Sequence, residues 1–125
     1  MIQYLELEVF ALELVASGFN VKDYGLLGAA LARPRTTVFG EDAYKTLELK
    51  ASALVHSLIK SHPMLDGNKR VAWLALNAFL FLNNRVLVAK ESDALGLITG
   101  IANDKYSVDE IAAWIKLRMR SLRQS

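Results

Sequence analysis

Positions 71–82 read VAWLALNAFLFL, the longest apolar run in the chain, and they follow directly on the most polar and turn-prone stretch, SHPMLDGNKR at 61–70. A bilayer crossing needs roughly 18 to 20 apolar residues. At twelve residues the run is too short for one, so it predicts a core helix of a water-facing protein. Being apolar on nearly every side, this helix, over about 68–83, has to be surrounded by other helices. The rest of the 125-residue chain supplies them as one domain, 1–125, large enough to bury roughly two thirds of the surface its unfolded form would expose.

Cysteine is absent, which excludes a disulfide framework, a thiolate metal site and a cysteine nucleophile, and makes redox chemistry an unsuitable reading. The first ten residues, MIQYLELEVF, carry acids where a secretory signal carries cations, so a cytoplasmic protein is expected. Formal net charge is only +2, weak support for nucleic-acid binding. The basic excess gathers in KLRMRSLR at 116–123, which reads first as a helix end whose cations complement the C-terminal dipole. An apolar content of 53% is high for a small monomer and suggests that a protein partner covers part of it.

Helical periodicity places the other elements. Leu5, Val9, Leu12 and Ala16 form a stripe over 4–17, with Gly18 as the stop. Asp23 caps a short helix with Leu27, Ala30 and Leu31 inward, which ends before Pro34. RTTVFGED then predicts an extended arm or flap near 36–40. Leu47, Ala51, Leu54, Val55 and Leu58 mark an amphipathic helix over 43–60. After the 68–83 helix, VLVA reads as a brief extended piece, and Ser92 opens a helix with Ala94, Leu95, Ile98 and Ala102 inward and a small face at Gly96 and Gly100. SVDE at 107–110 is a capping box that starts the last helix, with Val108, Ile111, Ile115, Met119 and Leu122 as its buried row. The fold class is therefore all-α, a bundle of about six helices around a central buried one.

The string at 61–70 then acquires chemical meaning. Gly67, Asn68, Lys69 and Arg70 fall at the N-terminus of the 68–83 helix, where unpaired N–H groups and the helix dipole favour an anion. Gly67 permits close backbone approach, Lys69 supplies a point charge and Arg70 a fork. Asp66, one residue before such a phosphate cradle, is suited to hold Mg²⁺ together with phosphate oxygens. His62, which Pro63 should make extended, has the side chain best matched to taking a proton from a hydroxyl at neutral pH. Met64 and Leu65 are expected to anchor the loop. Each residue taken alone could belong to an ordinary interhelical loop; the set in this order favours a site. A Walker A loop is excluded for want of its second glycine and its strand. Zinc is improbable with only His62 and Asp66 at hand. His56 reads as a surface or secondary contact, and Lys60 more readily as a solvated lysine than as a phosphate ligand.

His62-Pro63-Met64-Leu65-Asp66-Gly67-Asn68-Lys69-Arg70 resembles the Fic/Doc signature H-x-F-x-[DE]-[GA]-N-[GK]-R, and DYGLLGAALARPR and VFGEDAYKTLELKASALVHSLIK resemble the Doc, or death-on-curing, branch. The resemblance implies a toxin of a toxin-antitoxin system that transfers phosphate from ATP, with Mg²⁺, to a Ser or Thr hydroxyl of a translation protein such as elongation factor Tu. It implies His62 as base, Asp66 as metal ligand, and Gly67, Asn68, Lys69 and Arg70 around the phosphates. Lys69 points to the Doc-type kinase, because adenylyltransferases of the family usually carry Gly there. The implied partner is a Phd-like antitoxin. Met64 stands where Phe is usual, and Trp73 where adenylylating relatives often have a second arginine; TVFGED at 37–42 matches an internal inhibitory motif only loosely, so inhibition by a separate protein is expected. AMP transfer and a non-catalytic helical binding module are the alternatives.

Overall fold

The computed structural model describes residues 1–122. Among these residues are six α-helices: α1 Leu7–Ala16, α2 Tyr24–Ala32, α3 Leu47–Ser61, α4 Asn68–Leu82, α5 Glu91–Ala102 and α6 Val108–Arg118. A 3₁₀ turn, Arg33–Arg35, follows α2, and two small antiparallel ladders pair β1 Thr37–Val38 with β2 Glu41–Asp42, and β3 Arg85–Leu87 with β4 Met119–Ser121. No helix among the described residues is long and apolar enough to cross a membrane.

Local signals set several boundaries. The Asp23 carboxylate accepts the Leu26 N–H at 2.9 Å and starts α2. Ser107 and Glu110 exchange bonds of 2.9 and 3.1 Å, completing the capping box of α6. Gly18, at φ 91°, ends α1 in a Schellman motif in which Phe19 N–H reaches Leu14 O at 2.9 Å and Gly18 N–H reaches Val15 O at 3.0 Å. The arm after α2 is a hairpin whose two turn residues, Phe39 and Gly40, both have positive φ, as a two-residue type I′ turn requires.

Elsewhere packing overrides the expected faces. The buried side of α1 is Phe10, Ala11 and Leu14, while Val9 and Leu12 are 57% and 72% exposed and Ala16 is exposed. This helix is apolar on two faces, so periodicity cannot say which one meets the core. In α5, which begins at Glu91, the inward residues are Leu97, Ile98, Gly100 and Ile101; Leu95 points outward, Gly96 faces open space, and a Cβ on Gly100 would collide with the Tyr106 ring. The most enclosed helix is α3, buried from Lys50 to Val55 and again at Leu58 and Ile59, and α4 leaves Leu74, Phe81 and Leu82 at the surface. Helix α6 stops at Arg118 because Met119 pairs with Leu87 in the β3–β4 ladder; Met119 still packs on the core, and Leu122 is exposed.

Two cations tie the hairpin arm to α3. Lys50 is 2% exposed, and its ammonium donates to Pro34 O (3.3 Å) and Asp42 Oδ2 (3.2 Å), so this buried charge is paired and bonded. Arg33 donates through Nε to the Tyr44 hydroxyl (3.0 Å) and lies 3.0 Å from His56 Nδ1. A guanidinium can only donate, so Nδ1 must be the acceptor and His56 must be neutral in this contact. His56 is thus the secondary contact expected of it. Burial lowers its pKa below the usual 6.5, with Arg33 and Lys60 adding to the fall and Asp104 opposing it.

A pH dependence follows from this. Above about pH 6.5 the ring is neutral in both states and its contribution to stability is complete. Below that value the unfolded chain takes up the proton while the folded one resists, so stability declines as pH falls toward the lower folded pKa. Urea midpoints measured between about pH 7.5 and 5 should fall less in His56→Gln, which keeps an acceptor for Arg33 and cannot titrate. Parallel curves for the two proteins would remove His56 from the acid response.

Candidate functional site

The loop 62–67 runs from the end of α3 to the start of α4 and holds the residues in question. His62 is the C-cap of α3, at φ 52° and ψ 60°, so it is left-handed and not extended as the following proline suggested. Proline disfavours the right-handed helical region for its predecessor. The helix end then selects the left-handed alternative, which reverses the chain, and histidine is among the residues enriched there. The imidazole lies at the surface.

Pairing with the segment after α1 fixes the loop. Pro63 O accepts the N–H groups of Lys22 (2.9 Å) and Asp23 (3.0 Å), Met64 forms a bridge with Val21, and Leu65 N–H donates to Asn20 O (2.9 Å). Met64 is 1% exposed and anchors the loop as expected, whereas Leu65 is 68% exposed and does not. Alternating orientation along this strand-like bridge sends one of the two neighbours inward and the other out.

Asn68 closes the loop on itself. Its Oδ1 accepts the Met64 N–H (2.8 Å) and its Nδ2 donates to Met64 O (3.1 Å). The side chain is therefore committed to the loop, and the group Asn68 can offer an anion is its main-chain N–H. The first bond of α4 runs from Val71 N–H to Gly67 O, which leaves the amides of Asn68, Lys69 and Arg70 without intrahelical acceptors. Gly67 is the N-cap at φ 76°, and a Cβ there would lie 2.9 Å from the Phe19 ring. Both conformation and space demand glycine. Asp66 Oδ1 accepts the Gly67 N–H (2.8 Å), and its second oxygen has no hydrogen-bond partner among the described residues, so acceptor capacity remains for a cation. No cluster of three or more His, Cys, Asp or Glu able to hold a metal occurs among the described residues. One carboxylate completed by phosphate oxygens and water is a donor set that suits Mg²⁺ and not zinc.

Lys69 and Arg70 are exposed at this helix start and line a groove of about 410 Å³ together with Phe19, Trp73, Glu91 and Leu95. Lys60 is not part of this group, because its ammonium pairs with Asp104.

The match of these residues to known proteins extends well beyond the loop. The Fic/DOC family model matches residues 3–80. A relative described as Toxin Doc, from Mycolicibacterium smegmatis, is 44% identical over 119 residues, covering 90% of this chain and 91% of the relative. The chain belongs to the Fic/Doc family. Its signature is thus carried on a left-handed helix cap, a self-bonded loop and an open helix start.

Two features of this Fic/Doc chain were not legible in its sequence. Trp73, at the position of the missing second arginine, is part of the groove lining and meets Trp114 edge-on at 6.5 Å, so the groove beside Lys69 and Arg70 is aromatic on that side, while His62 and Asp66 do not line it. Phe19 comes from the α1–α2 connection, and its ring lies against Gly67 and under Arg70, whose Cζ is 5.2 Å from the ring centroid. Gly18 signalled the turn that delivers Phe19, but no local pattern signals the pairing of 20–23 with 63–65.

Proposed function

We propose that this protein is a Doc-type toxin that transfers the γ-phosphate of ATP to a Ser or Thr hydroxyl of a translation protein, by resemblance elongation factor Tu, and that a Phd-like antitoxin restrains it in the cytoplasm. The observation that carries the proposal is the 62–70 signature on an uncapped helix start, with Lys69 in place of glycine, in a chain 44% identical to a Toxin Doc.

In this reading the triphosphate lies across the N–H groups of residues 68–70, with Lys69 and Arg70 on its oxygens. The imidazole of His62 takes the proton of the target hydroxyl as that oxygen bonds to the γ-phosphorus. The bond from phosphorus to the β–γ bridging oxygen breaks, and ADP leaves. Asp66 would hold Mg²⁺ through its open oxygen, and the ion, when bound, neutralises phosphate charge. Positioning and charge neutralisation are most of what phosphoryl transfer asks of a protein, and the short bonded loop is suited to both.

The reading as a nucleic-acid binder loses support from the described part of the basic C-terminal segment; Arg123 lies outside the described residues. Arg118 donates to Trp114 O (3.2 Å) and Arg120 to Leu117 O and Met119 O (both 3.0 Å), so these two cations cap the end of α6. Lys69 is likewise what weighs against AMP transfer.

Incubation with elongation factor Tu and ATP labelled at either the α or the γ position tests the assignment. Label from the γ position is expected on the target. Label from the α position would replace the proposal with AMP transfer, and an absence of both, with no ATP bound, would leave the binding module.

A further inference from the structure

The Arg70 guanidinium makes no hydrogen bond or ion pair among the described residues, yet it is not unsupported. The ring of Phe19 lies beneath it at 5.2 Å. The same ring fills the space beside Gly67, and Arg70 Nη2 would stand 3.2 Å from a Cβ on that glycine, so the three residues are mutually in contact. Phe19 is itself held from three directions. Its N–H closes the Schellman motif on Leu14, the next residue bonds to Leu65, and Val21 bridges to Met64. The aromatic floor under the cation is thus built from outside the signature, on main-chain bonds that do not involve Arg70.

We infer that Phe19 is a positioning residue of the anion site, whose ring holds the Arg70 guanidinium beside Gly67 so that its fork is presented to a phosphate. The inference rests on the proposed function insofar as the site takes phosphates. An arginine with no acceptor loses considerable side-chain freedom when it binds an anion, and a ring face that already confines the guanidinium reduces that loss. A cation over an aromatic face is also attracted to it in its own right.

Inorganic tripolyphosphate is the appropriate probe, because it lacks a base that could stack on Phe19 directly. Calorimetric titration of the wild type, Phe19→Leu, Phe19→Tyr, Arg70→Ala and the double variant Phe19→Leu/Arg70→Ala is the test. Leucine keeps an apolar side chain against Gly67 and removes the π face; tyrosine keeps the face. Affinity should fall about three- to tenfold in Phe19→Leu and be retained in Phe19→Tyr. In the Arg70→Ala background, Phe19→Leu should have no further effect.

Equal binding by wild type and Phe19→Leu would overturn the inference, as would a Phe19→Leu loss that persists without Arg70. Should Phe19→Leu fail to fold, the wild type still decides. The Arg70 Nε–H proton should carry an upfield ring-current displacement that changes as tripolyphosphate is added, and a resonance at the position of a free arginine would refute the contact. A wild type that binds neither tripolyphosphate nor ATP overturns the phosphate reading itself, a result distinct from equal binding by the variants.

Discussion

Replacing His62 with alanine is expected to slow phosphoryl transfer by about 10²- to 10⁴-fold, the usual contribution of a positioned general base, with little change in thermal stability. The structural basis is the helix cap. His62 is at the surface, and its side chain fills no part of the core. Its left-handed backbone is instead set by the end of α3 and by the bonds that Pro63 O accepts from Lys22 and Asp23. Those constraints are main-chain and survive truncation of the ring. His62→Asn is the better-controlled variant, since asparagine tolerates the left-handed region and has no basic side chain. Single-turnover transfer from γ-labelled ATP and the melting temperature should be measured together. Loss of transfer with an unchanged melt assigns the imidazole to chemistry, and transfer at the wild-type rate would remove His62 from the mechanism.

The parts of this molecule that sequence reveals are those with local causes. Asp23 and Ser107 start helices through bonds to N–H groups three residues on, and Gly18 ends one through a conformation that other residues resist. The extended arm after α2 is written in its β-branched residues and Gly40, though its closure into a hairpin through Phe39 at positive φ is not, and the signature at 62–70 is written in residue types whose order has few other uses. What stays hidden is non-local. Helix α1 carries apolar residues on two sides, so only its packing neighbours decide that Phe10 and Leu14 face in while Val9 and Leu12 face out. Met119 continues the periodic row of α6, but Leu87, 32 positions earlier, draws it into a ladder. Lys50 gives no sign in the sequence that Pro34 and Asp42 will enclose it. The same holds at the site, where half of the loop's restraints come from residues 20–23.

Asn68 shows why that matters, and its replacement by alanine carries the second large expected effect. By residue type it falls in the proposed phosphate cradle, and its main-chain N–H remains suited to that. Its side chain, however, satisfies both the N–H and the carbonyl of Met64, a residue 1% exposed. Asn68→Ala leaves those groups with no side-chain partner, which should cost about 2–3 kcal/mol and lower the Tm by about 5–10 °C. Transfer should fall by about 10²-fold as well, because a loop displaced by even an ångström carries His62 and Asp66 away from the helix start. Asn68→Asp separates the two roles. A carboxylate can still accept the Met64 N–H but cannot donate to its carbonyl, and it places a negative charge beside the amides that would face phosphate. Its melt should fall less than that of Asn68→Ala, while its affinity for ATP should fall more. Hydrogen exchange at the Met64 amide provides the direct reading, expected fast in the alanine variant and slow in the wild type; an amide equally protected in both would show that Asn68 does not hold the loop.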